Sequence, residues 1–152
     1  AAYQYKSIYS YLKKETIGLD NLAKYFFKAS NEEQSHADLL IDYLNKRGDS
    51  VIFKEIKEPI TDFSKENLQH AILYIFEKSL ELENNVHENL LLIANKSDEY
   101  NDYHLHDFIS EIFLNEQVNA NYELTKYINH LRLIQTDASP LLALLTFDSL
   151  FK

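Results

Sequence analysis

The chain has 152 residues, 45% hydrophobic and 26% charged, which is enough for one compact domain with a real core. Fifteen basic against twenty-four acidic residues give a formal net charge of −9, which disfavours nucleic acid as a partner and suits a protein that attracts cations. There is no cysteine, so a disulfide framework and a thiolate metal site are both excluded, and any metal must be held by carboxylate, imidazole, amide or phenol groups. No apolar run reaches the length of a membrane span, the first residues carry no signal-peptide pattern, and the absence of Cys fits a reducing compartment. The compartment expected is the cytoplasm, with a secreted or organellar location as the alternative. Two Gly and two Pro leave little punctuation for many strands and favour a few long helices joined by short turns.

The first dozen residues place Tyr5, Ile8, Tyr9 and Leu12 on one helical face, and Lys13 to Leu19 reads as a turn. Asp20 is expected to cap a second helix that runs to about Arg47, where Gly48 stops it. At ~1.5 Å per residue this helix is roughly 40 Å long, the length of a bundle helix. Its stripe is Leu22, Tyr25, Phe26, Ala29, Leu40 and Leu44, and two polar residues, Glu33 and His36, fall in the same register at Glu-x-x-His spacing. An unpaired carboxylate in a helix-bundle core costs several kcal/mol, so something must compensate it. A metal ion held between helices is the compensation for which this spacing is known.

Asp49 to Asp62 is extended, β-branched and closed by Pro59, a long crossover that lets the helices on either side run parallel. A third helix, from near Ser64 to about Lys96, carries Leu68, Ile72, Ile75, Phe76, Leu80, Val86 and Leu90, with Glu83 on the same stripe. A fourth, from about His104, turns Phe108, Ile109, Ile112, Phe113, Ala120, Leu124, Ile128 and Leu131 inward, with Gln117 among them. Ser139 and Pro140 open a short, very apolar fifth helix. The reading is an all-α single domain over 1–152, a four-helix bundle with a long crossover and a short C-terminal helix.

Taken singly, each inward polar residue has an ordinary explanation: a hydrogen-bonded core His, a satisfied amide, a packed Tyr5 with its hydroxyl bonded, a Glu83 at the edge of the core. Together, two carboxylates, an imidazole, an amide and a phenol at one depth of a bundle make an oxygen-rich site suited to iron. A generic di-iron bundle carries a second Glu-x-x-His; Glu66/His70 and Glu83/His87 have the wrong spacing for one.

At this point the chain resembles ferritin, in particular the ferroxidase-active heavy type of eukaryotes. The resemblance covers nearly the whole length, through NLAKYFFKASNEEQSHADLL, NKRGDSVIFKEIKEP, LENNVHENLL, HLHDFISEIFLNEQV and LLTFDSL in order. It implies Glu33, His36, Glu83 and Gln117 as di-iron ligands or close neighbours, with Tyr5 hydrogen-bonding at the site. It implies Asp107 as the acid of an iron-entry channel, assisted by His104 or Glu111 because the second channel acid falls at Ser110. Glu32 matches an inner-surface acid, whereas other mineral-nucleating positions fall on Lys24, Phe27, Lys28 and Asn31. The function implied is oxidation of Fe(II) by molecular oxygen and storage of a ferric mineral core in a hollow cage of two dozen subunits. That cage is a homo-oligomer or is mixed with other ferritin subunits. The alternatives are a structural cage subunit with weak or no ferroxidase activity and, more distantly, a four-helix signalling bundle. The first helix starts inside its own apolar stripe. The resemblance therefore expects the natural protein to extend upstream of Ala1 by a few turns, with a further glutamate ligand three residues before it.

Overall fold

A computed structural model describes residues 1–135 and 139–152. It is all-helical, with no strand among the described residues. The helices are α1 (Ala2–Leu12), α2 (Asp20–Lys46), α3 (Leu68–Glu99), α4 (Tyr103–Phe108), α5 (Asn115–Ile134) and α6 (Pro140–Asp148). A π-helical segment, Ile109–Leu114, joins α4 to α5 without a break, so the fourth stretch expected from the sequence is these three pieces in series. The residues group into two compact units, 1–64 with 142–152, and 65–141.

In the first unit α1 and α2 form an antiparallel hairpin. Ile8, Leu12, Leu22 and Phe26 are buried between them, and Ser30 Oγ donates to Ala2 O at 2.9 Å. Burial of such side chains stabilises by about 1.5–3 kcal/mol each. Tyr11 rather than Tyr9 completes the buried face of α1, because Phe63 packs on it with ring centroids 5.3 Å apart. Tyr43 likewise replaces Leu44 on α2: Leu44 is exposed, and the inward positions repeat as 33, 36, 40 and 43.

Two helix ends explain where α2 starts and stops. Gly48, at φ +82°, closes it: Gly48 N–H donates to Asn45 O and Asp49 N–H to Leu44 O, both at 3.1 Å, the paired bonds of a Schellman motif. The start differs from expectation. Asp20 lies inside the first turn and binds Lys13 at 2.9 Å instead of capping. The acceptor comes from the other end of the chain: Leu22 N–H donates to Asp148 Oδ1 and Asn21 Nδ2 to Asp148 Oδ2, each at 2.8 Å. The crossover from Asp49 has no helix or strand, as its composition predicts. Its far end is pinned to α1, with Ile60 N–H donating to Gln4 Oε1 at 2.8 Å and Ser7 Oγ donating to Ile60 O at 2.7 Å.

In the second unit α3 packs antiparallel on α5. Phe76 meets Tyr127 edge-on at 5.8 Å, and Arg132 bridges Glu77 at 2.9 Å. Asn67 caps α3 by accepting from His70 N–H, which sets its start at Leu68 rather than near Ser64. Ile112, expected inward, is exposed. The π segment is the reason: bonding from i to i+5 adds a residue to the turn, so the buried positions recur at intervals of four, as Ile109, Phe113 and Gln117.

Candidate metal centre

On α2, the i, i+3 spacing stacks Glu33 and His36, and His36 Nδ1 lies 3.6 Å from Glu33 Oε1. Their side chains keep 16% and 22% of their exposure, so they sit at the edge of the core and not deep within it. Tyr5, on α1 in the same unit, is buried with its ring tilted on Phe26 at 5.8 Å.

On α3 and α5, Glu83 and Gln117 are buried to 4% and 5% exposure, the most enclosed polar pair of the set. Gln117 Nε2 donates to Glu83 Oε2 at 2.8 Å. That bond fixes the amide, so its other end, Oε1, faces the interior with no hydrogen-bond partner. An acceptor left bare in this way costs about 1–3 kcal/mol, and a cation is one means of recovering it. Within the first unit the pair offers a carboxylate and an imidazole, a combination suited to a transition metal such as iron more than to Mg²⁺ or Ca²⁺, and within the second it offers a carboxylate and an amide oxygen. Among the described residues no three His, Asp or Glu side chains form a group that could hold a metal.

The residues that the resemblance assigns to a channel, His104, Asp107 and Glu111, all fall on α4 and the π segment, and all of them are exposed. Asp107 keeps 73% of its side-chain exposure and lies 3.7 Å from His106 Nδ1. His106 is a neighbour that the sequence pattern gave no reason to single out. Glu32, which the resemblance matches to an inner-surface acid, is paired with Lys28 at 3.6 Å.

Comparison with known proteins comes down on one family. The family model for ferritin, described as a ferritin-like domain, matches residues 1–134, the stretch that contains every candidate site residue named above. Among similar proteins, ferritin-3, chloroplastic, of Vigna unguiculata is 39% identical over 133 residues, covering 88% of this chain and 52% of that protein. Ferritin-4, chloroplastic, of Arabidopsis thaliana is 40% identical over 131 residues, covering 86% and 50%. The chain spans about half the length of the curated relatives it matches. With a family model over most of its residues and an all-helical fold, the chain belongs to the ferritin family.

Proposed function

We propose that this chain is an iron-storage subunit that oxidises Fe(II) to Fe(III) with molecular oxygen and retains the ferric product as mineral in a hollow cage of two dozen subunits. The cage is built from copies of this chain or shared with other ferritin subunits. Iron is both substrate and cargo. The observation that carries the reading is Gln117: its Oε1 is buried and bare while its Nε2 is committed to the carboxylate of Glu83. Glu33 and His36 supply the second pair, at the positions that the resemblance matches to the same di-iron site.

In this reading Glu33, His36, Glu83 and Gln117 hold the iron and Tyr5 hydrogen-bonds beside it. Carboxylates favour the ferric over the ferrous ion, which makes loss of an electron to oxygen easier. The hydrogen bond from Gln117 holds the Glu83 carboxylate in one orientation, so that the site is preorganised for the charge that develops. Leu141, Leu142 and Leu145 of α6 leave apolar surface exposed in the single chain, which supports burial against symmetry mates. The names of the relatives place those proteins in chloroplasts, which favours an organelle over the cytoplasm for this chain too. No helix of the described residues is long and apolar enough to cross a membrane.

A structural cage subunit with little oxidation is the second reading. Stopped-flow oxidation of Fe(II) separates the two. Glu33→Ala with His36→Ala is expected to slow the reaction by about tenfold or more, as loss of metal ligands does. A double variant as fast as the parent rules the site out, and a parent that oxidises Fe(II) no faster than buffer assigns the chain to the structural reading.

A further inference from the structure

His87 is a polar side chain that the proposed centre does not use. It follows Glu83 by four residues on α3, and Ser79 precedes Glu83 by four, so the three stand on one face of the helix. Ser79 and Glu83 are buried, which turns that face into the packing. The Ser79 hydroxyl is satisfied within the helix, donating to Ile75 O at 2.9 Å. The His87 ring is not: its Nδ1 is enclosed and has no hydrogen-bond partner. A neutral imidazole with its proton on Nε2 presents a bare lone pair at Nδ1, and leaving it desolvated costs about 1–3 kcal/mol. Because α3 and α5 are antiparallel, the other bare buried atoms among the described residues, His70 Nδ1, Asn121 Oδ1 and Gln135 Nε2, lie on the far side of the Glu83–Gln117 pair. Among the described residues His87 is thus the one bare buried polar group on the side nearer the turn that leads into α4 and Asp107.

We propose that His87 Nδ1 and the Glu83 carboxylate, one helical turn apart, form an additional subsite for a borderline divalent cation of the Fe(II), Co(II) and Zn(II) class, completed by water. An imidazole paired with a carboxylate selects this class over Mg²⁺ and Ca²⁺, which take all-oxygen sites. The spacing that disqualifies Glu83 and His87 as a Glu-x-x-His pair is the i, i+4 spacing that lets both side chains lean to one point on a helix face. The subsite shares Glu83 with the function proposed above but needs neither oxygen nor Glu33 and His36.

Zn(II), which undergoes no redox change, is the probe. Crystals of the full chain exposed to a few equivalents of Zn(II) are expected to show an anomalous peak about 2.0–2.1 Å from His87 Nδ1. The peak is lost in His87→Leu, and calorimetric titration of that variant with Zn(II) takes up one cation fewer per subunit. His87→Gln, which keeps a polar group, is expected to give the same loss and guards against misfolding of the leucine variant. Peaks at Glu33 and His36 with none at His87 Nδ1 overturn the subsite and leave the proposed function standing. A peak at His87 with none at Glu33 and His36 does the reverse. A cation bound only through His87 Nε2 from solvent also overturns the subsite.

Discussion

Replacing Asp148 by Ala is expected to loosen the start of α2, although the two are 126 residues apart for the nearest bond. The carboxylate accepts from the Leu22 amide and from the Asn21 side chain, each at 2.8 Å, and Leu22 is fully buried, so water cannot take over the amide once the carboxylate is gone. A buried backbone donor left bare costs about 1–3 kcal/mol, and loss of a negative charge at a helix N-terminus adds about 0.3–1 kcal/mol. Removing the buried carboxylate also removes its desolvation cost, which returns on the order of 1 kcal/mol. The net is about 2 kcal/mol, or about 4–8 °C in Tm for a chain of this size. Asp148→Asn keeps an acceptor oxygen and loses only the charge, so it should cost about 1 kcal/mol or less. Hydrogen exchange at the Leu22 amide reads the effect locally: about thirtyfold less protection corresponds to 2 kcal/mol. The reasoning fails if the alanine variant melts with the asparagine variant, or if Leu22 protection is unchanged in both.

Asp107→Asn should slow iron uptake at low iron by about tenfold at low salt and by less at high salt, because a focused negative potential is screened; equal uptake by variant and parent at low salt moves the entry route away from Asp107. Light scattering at micromolar concentration should return a large closed oligomer, since α6 exposes Leu141, Leu142 and Leu145, and a monomer or dimer mass counts against the cage. Burial holds the Tyr11 phenol above the usual 10.0, with the Asp62 charge adding to it, and burial together with Glu123 does the same for Tyr127. The folded chain thus keeps these protons more tightly than the unfolded chain. Their contribution is complete below pH 10 and is lost as the pH rises through the folded values. Alkaline unfolding curves of Tyr11→Phe should therefore fall less steeply above pH 10 than those of the parent, and superimposable curves would remove Tyr11 from the account.

Residues whose environment is set by their own helix were legible in the sequence. Gln117 and Glu83 interrupt apolar stripes at helical intervals, and both are buried as that pattern requires. Gly48 ends α2 because its backbone conformation is local. What escaped is what depends on distant chain. Asp148 reads as one acid in an apolar tail, and only folding brings it to α2. Phe63 sits in a polar stretch after the crossover, yet it is fully buried on Tyr11 and decides which tyrosine of α1 faces inward. Glu33 and His36 share the inward face as expected, on the stripe that Tyr43, not Leu44, continues, and keep 16% and 22% of their side-chain exposure. The π segment left no trace in composition, since a spacing of four between apolar residues also suits an ordinary helix.

That segment has a consequence for how the chain tolerates change. In a regular helix, deleting one residue rotates everything beyond it by about 100°. Within Ile109–Leu114 the backbone already holds one residue more than a regular turn needs, so a single deletion there can relax the π turn to an α turn and be absorbed where it occurs. The same deletion a turn later, between Gln117 and Leu124, has no slack to draw on and swings Leu124, Ile128 and Leu131 out of the core. The fourth helical stretch is thus two independently phased rods. α4, with Asp107, and α5, with Gln117, can drift in length relative to each other while Gln117 keeps its place against Glu83.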